Sequence, residues 1–469
     1  MKIVIPNTYV PERSYIIEVI FKDILGLDYD LEIKEEAQDY IIIPASQKKL
    51  IIQDSFFSKY ANTSYLNQKY LPVQVSFINI FIGKNHDLVN LYGNSEVYIE
   101  NEKITCGIDC FAAAFFMLTR WEEYVNKKRD EYGRFSYADS IAYKHNFLRR
   151  PIVNEYVEFI WDSLVQLGIN QKRKSKSFQF YNTHDIDIIS LFENPLHYIA
   201  KPIKILFTQK SLSGFFHTYQ LAVNALKGKD PYHTFNYLMD CSEKAGIKSW
   251  FFFMATNKTK LDKGYNPNTS FLKNIYNSIK ERNHEIGFHP ASTTCMDEAV
   301  FLKEKEQLES AINQKMKSGR QHFLKFEAPF TWQIWEKAGM EYSFTMSYAE
   351  RVGFRAGICQ AFHPFDILNR NKLDLLEIPT TVMDYTLSSP TAEALNPRES
   401  IELICSLIDK VSTYNGDFVF LWHNSSFEYY IFREHGIVYS KVLEAVEKLD
   451  FVSRDHVLEN VINQEGTII

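Results

Sequence analysis

Asp185 and Asp187 stand two residues apart at the end of an apolar, aromatic run, Tyr181-Asn182-Thr183-His184-Asp185-Ile186-Asp187. If residues 178–182 form a β-strand, alternate side chains share a face, and the two carboxylates point the same way at its carboxyl end. That end is where α/β folds place chemistry. Two ionised carboxylates so close repel unless a cation or a shared proton intervenes, so the pair suggests a metal ligand beside a general base. An Asx-rich turn after a strand is the competing reading. Three later segments decide against it. His289 ends an expected strand at 284–288, His322 opens one at 322–326, and His423 follows one that ends at 422. A single histidine at a strand end is usually a hydrogen-bonded core residue, but three in one run of strands are not so easily explained.

These residues need elements that bring strand ends together. Downstream of residue 177 strands and helices alternate: helix 230–245, strand 250–254, helix 271–282, strand 284–288, helix 299–317, strand 322–326 and helix 330–338. Strands at 375–378 and 417–422 then flank a helix at 397–413, and a helix at 439–449 follows. Repeated βα units imply a parallel sheet or barrel, and the spread of the ionisable residues over several strand ends favours a barrel. The basic run Gln171-Lys172-Arg173-Lys174-Ser175-Lys176-Ser177 marks a boundary before it. Upstream, strands near 3–5 and 40–43, a helix at 14–25, and helices at 110–126 and 151–167 read as a smaller α/β domain.

The 469 residues are enough for two or three domains, and 36 Phe and 28 Tyr make the chain unusually aromatic. A net charge of -6 favours neither nucleic acid nor an anionic membrane surface as partner. The six scattered cysteines fit reduced thiols rather than a disulfide framework. No apolar stretch is long enough to span a bilayer, and Met1-Lys2-Ile3-Val4-Ile5 does not read as a signal peptide, so a cytoplasmic location is expected.

In order, Thr183-His184-Asp185-Ile186-Asp187, then His284-Glu285-Ile286-Gly287 leading to His289, then Leu421-Trp422-His423, resemble the motifs of polysaccharide deacetylases of the NodB-homology type. The resemblance covers about Lys176 to Phe451. A bacterial subgroup with an extra amino-terminal domain is echoed by Phe115-Phe116-Met117-Leu118-Thr119-Arg120-Trp121-Glu122-Glu123-Tyr124, by Gly353-Phe354-Arg355-Ala356-Gly357 and by Trp422-His423-Asn424. It implies a distorted (β/α) barrel over 176–469 preceded by an α/β accessory domain over 1–170. It also implies a divalent metal, with zinc the expected ion, and removal of N-acetyl or O-acetyl groups from sugars.

By position, the resemblance makes Asp185 the base, Asp187 and His289 metal ligands, and His423 the acid that protonates the departing amine. Thr293 stands where the family has a second histidine ligand, and His322 is the candidate to replace it. Lys325 is nearest in position to the family's base-orienting arginine, with Arg320 and Arg355 as substitutes. Lys325, Arg355 and Asp384 are the candidate substrate-binding residues, although Asp384 could instead tune His423. The expected substrate is an N-acetylated sugar of a polysaccharide or its precursor. A catalytically silent carbohydrate-binding relative and a deformylase or O-deacetylase are the alternatives.

Overall fold

The computed structural model describes residues 1–61, 63–256, 258–429 and 432–448. The expected helix end at Leu449, and the second domain beyond it, lie outside the described residues. The chain forms two compact units, and neither is a single run of sequence. The first takes Met1–Ser177, Lys325–Tyr348 and Gly353–Pro379, and the second takes Phe178–Leu324, Ala349–Val352 and the chain from Thr380 onward.

In the first unit, β1 (Lys2–Pro6), β2 (Asp30–Lys34), β3 (Tyr40–Ile43), β4 (Lys49–Ile52), β5 (Gly93–Ile99) and β6 (Lys103–Ile108) form a mixed sheet in the order β2-β1-β3-β4-β6-β5. The helix Cys110–Thr119 is capped by Asp109, whose carboxylate accepts from the Ala112 N–H, and all its side chains are buried. The sequence suggested one helix over 110–126. Arg120 instead takes a left-handed conformation, φ 52°, and splits it into Cys110–Thr119 and Trp121–Val125. That break is compensated by contacts of the Arg120 guanidinium: 2.8 Å to Glu123, 3.3 Å to Glu122 and 3.2 Å to the Tyr348 hydroxyl.

A second sheet has eight strands: β7 (Gln179–Ile186), β8 (Ser249–Phe253), β9 (Glu285–Phe288), β10 (Ser318–Gly319), β11 (Tyr342–Ser343), β12 (Leu376–Glu377), β13 (Val382–Met383) and β14 (Asp417–Leu421). Their order is β12-β11-β10-β9-β8-β7-β14-β13, and every registered pair in it is parallel. The end strands do not pair with each other, so the sheet is an open, distorted form of the expected (β/α) barrel. Its centre, β8-β7-β14, is buried on both faces, which explains the continuous apolar runs Trp250-Phe251-Phe252-Phe253 and Phe418-Val419-Phe420-Leu421. Parallel pairing brings the carboxyl ends of β7, β9, β10, β13 and β14 to one edge, so residues far apart in sequence can meet there.

Local chemistry sets the lengths of the flanking elements. The helix Pro397–Thr413 starts with a reciprocal capping box between Asn396 and Glu399. The helix expected from 230 starts only at Phe235, because the Asp230 carboxylate is taken up by the backbone N–H groups of Leu191, Phe192 and Tyr232. The strand expected at 322–326 is absent. β10 ends at Gly319, and His322–Leu324 is a tight turn with Phe323 at φ 62° and Leu324 at φ 52°. Gly319 itself admits no side chain, since a Cβ there would lie 2.0 Å from the Phe288 carbonyl oxygen.

Candidate active site

β7 runs to Ile186, so Asp185 and Asp187 share one side and His184 turns to the other. His184 Nδ1 lies 2.7 Å from the Trp422 carbonyl and Nε2 3.2 Å from Ser249 Oγ. Burial pushes its pKa down to about 3, so it is a neutral structural residue.

Asp187 and two histidines form the centre of the site. His289, just past β9, has Nδ1 2.6 Å from the Arg320 carbonyl. A carbonyl only accepts, so Nδ1 carries the proton and Nε2 presents its lone pair. That Nε2 is 3.0 Å from Asp187 Oδ1, and both atoms are buried without a hydrogen-bond partner. His322 Nδ1 is 2.5 Å from Asp262 Oδ1, and its Nε2 is 3.6 Å from the other Asp187 oxygen. One ligand atom from each of Asp187, His289 and His322 lies within 4.8 Å of the others. Two nitrogens and a carboxylate, with each histidine fixed through its far nitrogen, form a donor set that suits a divalent transition metal. The orphaned pair of atoms at its centre fits the same group.

Burial would raise the Asp187 pKa, but the charge of His322 first, with His289 and His423 close by, holds it well below the usual carboxylate value. Burial opposes charge on His322, yet Asp187 and Asp262 raise its pKa to about 9. Asp262 is pulled down to about 2, since His322, Thr259 and the Ser292 N–H outweigh its burial.

Asp185 is clamped. Arg320 Nη1 donates to Oδ1 at 2.6 Å, while Oδ2 turns toward the histidines, 3.7 Å from His289 Nε2. The buried guanidinium is itself braced by Thr183 Oγ1 at 2.9 Å and Thr380 Oγ1 at 3.0 Å. Arg320 therefore holds Asp185 through its side chain and His289 through its carbonyl.

His423, two residues past β14, is held by Asp384, which follows β13. Its Nδ1 lies 2.8 and 3.0 Å from the two Asp384 oxygens, and its N–H donates to Oδ2 at 2.7 Å. Its Nε2 is 3.5 Å from Asp187 Oδ2. Burial disfavours the imidazolium, but Asp384 first, then Asp187 and Asp185, raise its pKa to about 10. A cavity of about 720 Å³ opens beside the cluster, lined by Asp187, Ile188, Ser190, Thr259, Asp262 and Tyr265 among others.

The structure thus gathers Asp185, Asp187, His289, His322, Asp384 and His423. Thr293 is exposed on a short turn, and His322, the candidate to replace it, stands with Asp187 and His289. Other expectations need correction. The arginine on Asp185 is Arg320, not Lys325, because β10 ends before the turn that the sequence suggested was strand. Lys325 belongs to the first unit, where its side chain packs over Gly133. Arg355, also in the first unit, is buried in a bidentate pair with Glu123, at 2.9 and 2.5 Å, and is not presented to substrate. Asp384 is fully engaged with His423 and the Tyr385 N–H, so it tunes the histidine rather than offering a sugar contact. Asp262, in a loop, went unread in the sequence. Only its partnership with His322, 60 residues away, marks it.

The class defined is therefore a parallel α/β protein with an Asp-His-His cluster at its strand ends. Residues 1–169 match a family of unknown function (DUF7033). No curated protein matches the chain. Among solved structures, a "putative polysaccharide deacetylase" from Mycobacterium smegmatis aligns at 14% identity and TM-score 0.39, over 62% of this chain and 91% of that one. A CE4 family pseudoenzyme from Bacillus anthracis aligns at 12% and 0.27, over 57% and 61%. A GH57 branching enzyme from Thermococcus kodakaraensis aligns at 9% and 0.26, over 62% and 72%.

Proposed function

We propose that the protein is a metal-dependent hydrolase that removes an acetyl group from an N-acetylated sugar of a polysaccharide or its precursor. The observation that carries this reading is the arrangement of charges: an Asp-His-His donor set in which Asp187 Oδ1 and His289 Nε2 are unsatisfied, flanked by a carboxylate locked by arginine and an imidazolium locked by carboxylate. Asp187, His289 and His322 would hold the metal. A divalent ion held there would supply polarisation of the acyl carbonyl and would acidify a neighbouring water.

The chain's own groups supply the proton transfers. With Oδ1 fixed by Arg320, Asp185 presents Oδ2 to take the proton from the attacking water as the carbon–oxygen bond forms. His423, cationic at neutral pH, has its Nδ1 held by Asp384, so its Nε2 delivers a proton to the amine as the carbon–nitrogen bond breaks. The products are acetate and a free amino sugar. The silent carbohydrate-binding alternative rested on Thr293 and Lys325. Both departures are matched in space, by His322 and Arg320.

The test is acetate release from N-acetylated glycans by zinc-loaded protein. Asp185→Asn should lower the rate by about 10²–10⁴ with metal binding retained. An unchanged rate would remove Asp185 from the role of base, and formate release in place of acetate would redirect the reading to a deformylase.

A further inference from the structure

A helical hairpin, His197–Gln209 and Leu212–Leu226, is inserted in the second unit after β7. Its inner side is rooted in a cluster of Leu191, Phe192, Leu221, Ala222 and Tyr232, with Tyr198 stacked on Phe192 at 4.8 Å. Its outer side does not resemble an ordinary solvated surface. On the first helix and its N-cap, Leu196, Ile199, Ile203 and Phe207 recur at three- and four-residue spacing and are 76%, 67%, 42% and 75% exposed. On the second, Leu212, Phe216, Tyr219 and Leu226 continue the pattern at 67%, 64%, 55% and 72%. Helical periodicity turned outward rather than toward a core is an apolar face that, among the described residues, lacks a partner.

Charge identifies the partner. From Asn194 to Lys229 there is no Asp or Glu, yet there are five lysines: Lys201, Lys204, Lys210, Lys227 and Lys229. Of the carboxylates that bracket the segment, Asp230 is bound into the turn at the hairpin's root. Lys204, Lys210, Lys227 and Lys229 are exposed, while Lys201 is half-buried over the Tyr429 ring with Glu193 and Asp230 near it. Neither helix is long and apolar enough to cross a membrane. Apolar stripes bordered by lysine, on helices too short to span, are the pattern of elements that lie in the plane of an anionic bilayer surface. The overall net charge of -6 conceals this local excess.

We propose that this hairpin docks the protein on anionic phospholipid, with the stripes Leu196-Ile199-Ile203-Phe207 and Leu212-Phe216-Tyr219-Leu226 in the interface and the lysines on the headgroups. The segment that roots the hairpin also lines the candidate active-site cavity, through Ile188, Ser190 and Glu193, so docking would hold that cavity close to the bilayer.

Sedimentation of the full chain with vesicles tests this. Binding is expected to vesicles rich in phosphatidylglycerol, to weaken at high salt, and to be slight with phosphatidylcholine alone. The double substitution Phe207→Glu, Phe216→Glu should lower binding by about tenfold or more while leaving helical circular dichroism and zinc binding unchanged. Absence of wild-type binding to the anionic vesicles, or equal binding by the variant, would overturn the proposal. So would a wild-type dimer that the variant converts to monomer without any vesicle binding, since a second copy of the chain would then cover the face.

Discussion

Two buried clusters of charge occupy the two units, and they differ in one respect. In the first unit, Arg120 and Arg355 converge on Glu123, with Glu122 and the Tyr348 hydroxyl completing the set. Each guanidinium nitrogen has a partner, the last ones on the Met117 and Ser347 carbonyls. In the second unit, Asp185 and His423 are equally well held, but Asp187 Oδ1 and His289 Nε2 face each other at 3.0 Å with no hydrogen bond. A satisfied buried network fixes a structure. A network satisfied everywhere but at its centre is built for something that binds there. In the first cluster the Glu123 pKa, which burial would raise, is lowered by Arg355 and Arg120, while burial of Glu122 outweighs Arg120 and raises its pKa to about 7. Asp187 is lowered by His322, His289 and His423 together, so the carboxylate carries its charge toward a point where a cation would meet it.

The comparison predicts separable failures. The largest stability effect belongs to the first cluster: Glu123→Ala leaves two buried guanidinium groups without their carboxylate and should cost about 3–5 kcal/mol of unfolding free energy. Denaturant titration would register it, with the zinc stoichiometry of the folded fraction unchanged. If zinc binding fell in proportion while stability held, the division between the clusters would be wrong.

A smaller effect is expected from Asp262→Asn, which removes the carboxylate that orients His322. Metal affinity should fall by about 10–100-fold, read by competition with a chelating dye. An unchanged affinity would remove His322 from the donor set.

The third effect is one of pH. The His423 pKa is raised to about 10, so the imidazolium is present through neutral pH and is lost as pH rises through that value. Asp384 is the largest favourable influence on it, so Asp384→Asn leaves burial to lower the pKa. The alkaline limb of the rate profile should then move to lower pH, with the zinc affinity little changed. A limb that stays in place would separate His423 from the proton delivered to the amine.

The legible part of the site lay where periodicity is strict. The end of β7 alternates, so the shared face of Asp185 and Asp187, and the turning away of His184, follow from position alone. His289 and His423 sit just past buried apolar strands whose ends the composition marks. The reading failed where the elements are too short to carry a pattern. β10 is only Ser318–Gly319, and the turn after it places two non-glycine residues at positive φ. The strand expected from 322 thus starts four residues past the true start at Ser318, which puts Lys325 rather than Arg320 in the place of the clamp on Asp185. Asp262 could not be found from local sequence, because its role exists only through a partner 60 residues away. Arg355, expected to bind substrate or orient the base, instead pairs with Glu123 across 232 residues, a contact that local sequence does not reveal.

The central claim is that Asp187, His289 and His322 together hold one divalent ion, and calorimetric titration of metal-stripped full-length protein with zinc tests it most directly. The account predicts one ion per chain for the wild type, with heat and stoichiometry lost in Asp187→Ala and in His322→Ala, and a zinc-induced rise in melting temperature that disappears with them. Absence of zinc binding by the wild-type protein, or full binding by either variant, would contradict it.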